Sequence, residues 1–253
     1  MGLAFRSAER VALYIASFRY LVALIISFFL IILSAAPLAD GSISLIAHEI
    51  KVTQANHRQL QASICNVTDK LATNYEKIGL KLPSTVTYRV NTDSAPSSIR
   101  SSLSTIVNNS VQVWDGKISV SFGNGGSTSV KRASNDGQNI IAWNRLSRNT
   151  LGATYIWYNS ATKTVVNVDT IMNSRHPWAW TNPNSTDPDQ NCSNPNSYDA
   201  QNILTHELGH WVGLDDLYGS ADEDNTMYGY GAKGELKKDT LETGDVNGAQ
   251  SIY

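Results

Sequence analysis

The chain has 253 residues, enough for one domain of catalytic size plus a leader and too few for two full domains with separate cores. Its formal net charge of −2 and pI near 6.2 provide no basic field to neutralise phosphates, which excludes a nucleic-acid partner as the expected role. Charged residues make up only 17%, and Ser, Thr and Asn crowd the chain after residue 90, a polar but weakly charged surface that suits an extracellular protein.

Arg6, Arg10 and Arg19 precede an uncharged run from Tyr20 to Ala39, centred on LVALIISFFLIIL and followed by small residues around Ala35. Basic residues on one side of an unbroken apolar run mark an export signal. The run is also long enough to span a bilayer of ~30 Å at ~1.5 Å per residue, so a retained anchor is the alternative. Residues 1–39 are therefore read as a signal peptide or membrane anchor. The protein is expected to be secreted, or tethered to a membrane by residues 20–39 alone. Residues 40–81 read as a pro-segment or helical spacer, because Leu45, Ile46, Ile50, Leu60, Ile64, Leu71 and Tyr75 recur at helical spacing before LKLP closes the stretch. His48 and His57 are expected on its solvated face. Cys65 and Cys192 are the only two cysteines, and in an exported chain one disulfide between them is the simplest expectation.

From residue 82 the pattern changes to that of a domain. VTYRV alternates with period two, as a half-buried strand does. Ile99, Leu103, Ile106, Val107, Val111 and Trp114 then predict a long amphipathic helix, with Ser97 or Ser98 as N-cap and Gly116 past its end. Strands are predicted at 118–122, 139–143, 153–158 and 164–172, and a loop from Trp180 to Tyr198.

Asp199 can cap a helix reading AQNILTHELGHWVG, which Gly213 can end. His206 and His210 stand four apart on it, so both imidazoles share one face and can reach a single zinc ion. Glu207 sits beside the first of them, where a carboxylate can accept a proton from water as a general base. Glycine readily takes the left-handed backbone that stops a helix and folds the chain back, so Asp216, three residues beyond Gly213, can complete the metal site.

With HELGHWVGLDD, and Met227 following in NTMYGYG, the sequence resembles the metzincin metallopeptidases, the matrixin-like enzymes in particular. The resemblance runs from Leu82 to the end, so residues 82–253 are taken as the catalytic domain. It implies an α+β fold: a mixed, twisted sheet, two helices above, the second carrying the zinc ligands, and a small C-terminal subdomain after Gly213. It implies that Met227 lies in the methionine turn, and that Asp245, Ile252 and Tyr253 dock the closing helix. By the same resemblance Ala153, Thr154, Tyr155, Ile156, Trp157 and Tyr158 form an exposed edge strand that pairs with an extended polypeptide substrate. The implied activity is that of a monomeric zinc-dependent endopeptidase (EC 3.4.24 type) that hydrolyses peptide bonds of proteins or peptides. Two departures matter: Asp216 stands where matrixins usually have a third histidine, and His176 is alone, near Trp178, with no second histidine cluster for a structural zinc. Calcium is left open at Asp136, Asp169, Asp187 and Asp189. Some matrixins hold the zinc with a pro-segment cysteine, which makes a Cys65 thiolate the alternative to the disulfide, although the surrounding family pattern is missing around SICNV. The rival functions are a binding module that kept its metal, opposed by Glu207, and a zinc hydrolase of other substrates, opposed by Gly213, Asp216 and Met227 together.

Overall fold

In the computed structural model, which describes residues 41–53, 64–65, 70–182, 184–186 and 188–253, the first element is already a departure from expectation. Residues Ile43–Val52 form a strand, β1, not a helix. Ile46 and Ile50 are four apart, a spacing that fits one helical turn and also two strand repeats, so local pattern alone does not discriminate. The β-branched Ile43, Ile46, Ile50 and Val52 and an available sheet edge decide for the strand. Residues 70–81 form no helix and carry only isolated bridges at Lys77 and Lys81. The Tyr20–Ala39 run and His57 lie outside the described residues, and among those described no helix is long and apolar enough to cross a membrane.

Onward from β1 the order is β2 (Thr85–Val90), α1 (Ser97–Arg100), α2 (Leu103–Gln112), β3 (Ser121–Ser127), β4 (Asn139–Asn144), β5 (Thr150–Asn159), β6 (Val165–Asn173), β7 (Trp178–Ala179), α3 (Pro188–Asn191), β8 (Tyr198–Asp199), α4 (Ala200–Trp211), β9 (Tyr230–Gly231) and α5 (Thr243–Gln250). Seven strands make one mixed sheet in the order β3-β2-β4-β6-β5-β1-β9, in which β5 runs antiparallel to both of its neighbours. β5 is therefore not an exposed edge: β1 covers the side left open by β6.

Alternation explains how the core is divided. Ile141 and Trp143 of β4 enter the main core with Leu103, Ile106 and Val107 of α2 and Ile203, Leu204 and Leu208 of α4. Ile140 and Ala142 turn to the opposite face and join Ile171 in a second cluster. A strand buried on both faces reads as the continuous apolar run NIIAW. Each fully buried large apolar side chain contributes about 1.5–3 kcal/mol, which fixes α2 and α4 on the sheet.

The predicted long helix is split into α1 and α2. Ser97 lies inside α1, whose N-cap is Pro96 without a side-chain cap bond. The serines here favour side-chain bonding over helix continuity, and the Ser98 hydroxyl donates to the Trp178 carbonyl at 2.8 Å. β3 begins at Ser121 rather than at 118, because its register is set by parallel pairing with β2. Close approach there requires Gly125, where a Cβ would come 2.7 Å from Thr87 Cγ2.

Candidate metal centre

All twelve residues of α4 are buried, its histidines and glutamate included, so each polar group on it requires a partner or costs free energy. The helix begins as the sequence implies, the Asp199 carboxylate accepting from the amides of Gln201 and Asn202 at 2.9 and 3.1 Å. It ends at Gly213, whose φ of +97° suits glycine and whose missing Cβ would otherwise lie 2.6 Å from the Leu80 carbonyl oxygen.

His206 Nδ1 lies 2.8 Å from the Thr226 carbonyl and His210 Nδ1 2.9 Å from the Leu214 carbonyl. A carbonyl only accepts, so both Nδ1 atoms carry a hydrogen, and Nε2 is on each ring the atom that could offer a lone pair to a metal. Asp216 Oδ1 stands 3.2 Å from His206 Nε2 and 3.7 Å from His210 Nε2. None of these three facing atoms has a hydrogen-bond partner, nor does Oε1 of Glu207 or Nε2 of His48. Burial lowers the His210 pKa to about 3, so the ring is neutral. Burial raises the Asp216 pKa and any positive charge on the facing His210 and His206 rings lowers it, the balance lying below the ordinary carboxylate range.

Glu207 has no exposed surface, and burial pushes its pKa well above the ordinary carboxylate range. The opposing influence is Thr154, whose hydroxyl donates to Glu207 Oε2 at 2.6 Å. Behind it the Trp211 indole N–H donates to Thr170 Oγ1 at 2.9 Å, and the Thr170 and Thr154 hydroxyls lie 2.7 Å apart. Trp211 occupies one lone pair of Thr170, leaving the Thr170 hydrogen for Thr154 and the Thr154 hydrogen for Glu207. Gly152 makes room for the carboxylate: a Cβ there would lie 2.6 Å from Glu207 Oε1.

Met227 is fully buried under α4, against the face of Gly209. Asp245 Oδ2 accepts from the Thr226 and Glu242 amides at 3.2 and 2.9 Å, which ties α5 to the turn that supports His206. The Leu82 amide donates to the Tyr253 hydroxyl at 3.0 Å, so Asp245 and Tyr253 both dock the C-terminus.

Other expectations fare differently. Cys65 and Cys192 are joined in a disulfide, so Cys65 has no thiolate to offer a metal. His48 is not on a solvated face: it is 8% exposed, and it forms with His210 and Asp216 a group whose donor atoms lie within 4.8 Å of one another. His176 packs edge-on against Tyr198, which also contacts Trp178. Asp169 accepts from the amides of Ser134 and Ile140, and Asp136 from the Gln138 amide, so both carboxylates are engaged within the protein. Asp187 and the side chain of Asp189 lie outside the described residues. Two participants escaped sequence reasoning. Thr154 was placed only as a strand residue, and His48 follows no motif, although its place between Ile46 and Ile50 puts it on the inward side of an alternating strand.

A family model described as Matrixin matches residues 81–253. No curated protein matches the chain.

Proposed function

Since the chain belongs to the matrixin family, whose members are zinc-dependent endopeptidases, we propose that it is an exported peptidase in which His206, His210 and Asp216 hold zinc and Glu207 is the general base. The observation that carries this assignment is that Nε2 of His206 and Nε2 of His210, both buried and unpartnered, lie 3.2 and 3.7 Å from the equally unpartnered Oδ1 of Asp216. That donor set suits zinc, and Asp216 in place of a third histidine makes it somewhat harder without altering the count of three protein ligands. When bound, zinc supplies Lewis acidity, polarising a carbonyl oxygen and acidifying water to a pKa of about 7.

The protein's own groups do the rest. The carbonyls of Thr226 and Leu214 hold the two imidazoles in the tautomer that presents Nε2. Oε1 of Glu207 accepts the proton of the attacking water, and the same carboxyl then delivers it to the leaving amine, so no covalent intermediate is required. Burial makes the protonated form of Glu207 accessible for the second transfer, while Thr154 favours the ionised form for the first. Because β5 is paired on both sides, an extended polypeptide could add to it by strand addition only in the place that β1 occupies. Export is supported by the basic-then-apolar leader and by the disulfide, which fits an oxidising compartment.

Paired substitutions separate holding the metal from using it. Glu207→Gln should keep the zinc while hydrolysis of denatured casein falls by ~10² to 10⁴. His210→Ala should lose both zinc and activity. Asp216→Ala should behave like His210→Ala and Asp215→Ala should not. Full activity in Glu207→Gln, or loss of zinc in Asp215→Ala alone, would overturn the assignment.

A further inference from the structure

β1 stands where a polypeptide substrate is expected to lie. It pairs antiparallel with β5, Ile50 opposite Gly152, Glu49 opposite Ala153 and His48 opposite Thr154. On its other side it runs parallel to β9, with Lys51 opposite Tyr230 and Val52 opposite Gly231. Side chains alternate along a strand, so His48 and Ile50 turn inward while Glu49 stays exposed. Ile50 is fully buried, its Cδ1 meeting the same face of Gly231 as Leu151 and Ile203. Its amide N–H faces the Glu207 carboxylate, the place from which a leaving amine would draw a proton.

His48 is the unusual member of this strand. Its ring stacks on that of His210 with centroids 4.5 Å apart, and its Nδ1 lies 3.2 Å from Asp215 Oδ1, which sets the ring's orientation. The other nitrogen, Nε2, is buried without a partner. A histidine serving only to fill space would be a poor choice here, since an orphaned buried nitrogen carries a desolvation cost that an isoleucine or leucine would avoid. Its donor atom lies within 4.8 Å of those of His210 and Asp216, two of the three proposed ligands, a span that fits one ion.

Resting on the zinc site proposed above, we propose that His48 is a fourth metal donor and that β1 is an inhibitor carried by the chain itself, which closes the site until β1 is withdrawn. Three protein ligands leave a position for chemistry, whereas four close it. Cys65, held in its disulfide, is not available for this task.

Cobalt substitution of the full chain tests this without reliance on turnover, because four-coordinate cobalt(II) absorbs visible light far more strongly than cobalt with additional water ligands. The parent protein should show the intense bands. His48→Ala should still take up cobalt but with weakened bands, should release metal to a chelator about tenfold faster or more, and should recover its bands on addition of imidazole. His48→Cys should add a sulfur-to-cobalt charge-transfer band in the near ultraviolet, which decides the matter even if the alanine variant folds poorly. A His48→Ala spectrum and release rate equal to those of the parent, or a His48→Cys protein lacking the new band, would overturn the cap while leaving the zinc site standing, provided His210→Ala loses the metal. Cobalt uptake unaffected by His210→Ala would instead sink the zinc site beneath it.

Discussion

Thr154 supplies a single hydrogen to Glu207 from a strand on the far side of the helix, and the pair sets how readily the base ionises. A bond from a neutral hydroxyl to a charged carboxylate is worth about 1.5–3 kcal/mol, and it favours the charged form. Removing it makes Glu207 harder to ionise, so the acid side of the pH profile is where activity is lost. Thr154→Val keeps the shape and deletes the hydrogen. The variant should retain its metal, and the acid limb of kcat/KM should move to higher pH by roughly one pH unit or more. An unmoved limb would show that Thr154 only fills space. At this scale the proposed ligands on α4 and the proposed base were legible because helical spacing is a local property. Thr154 was not, since it meets Glu207 only after β5 has been laid beneath α4.

At the scale of elements, α4 and the turn holding Met227 define each other. Gly209, between the two histidines, has no Cβ, and one built there would lie 2.1 Å from Met227 Sδ and 3.1 Å from Trp114 Cζ2. Trp114 is fixed in turn by its indole N–H, which donates to the Thr205 carbonyl at 3.0 Å, so it offers little room. Gly209→Ala is a favourable change for helix propensity, about 1 kcal/mol in an isolated helix. Here it should destabilise by about 1–3 kcal/mol, because Met227 must shift and the Thr226 carbonyl under His206 shifts with it. Denaturant titration measures the loss, and weaker zinc retention should accompany it. A variant as stable as the parent would mean that the methionine sits loosely. The caps of α4 could be read from Asp199 and Gly213, as both act within one turn. The break between α1 and α2 at Ser101 and Ser102 could not, because the apolar spacing runs through it unbroken.

Across the whole molecule, the described residues between 41 and 81 pack and bond with the residues after 82. The Lys70 and Ala72 amides donate to the Glu242 carboxylate at 3.0 Å, the Gly244 amide donates to Ala72, and the Ile78 amide donates to the Gly213 carbonyl at 2.9 Å. Ile64 and Ser193 exchange two bonds beside the Cys65–Cys192 bridge, which spans 127 residues. Joining points so distant restricts the unfolded chain, and loss of such a bridge costs about 2–5 kcal/mol. Cys65→Ser combined with Cys192→Ser should lower the unfolding free energy by that amount, and the non-reduced parent should titrate no free thiol. Two reactive thiols in the parent would contradict the bridge.

The residues proposed to hold the metal, the limits of the helix that carries two of them and the glycine that follows could be read from the sequence alone, because each depends on neighbours within about one helical turn or on a glycine's freedom to reverse the chain. What covers that centre was decided only by tertiary structure. Ile46, His48 and Ile50 suit a helix or a strand equally well until β5 offers an unpaired edge, and pairing with that edge turns His48 inward onto His210 instead of outward into water. Strand pairing joins residues more than a hundred positions apart, and no local pattern in either partner encodes which edge will be filled.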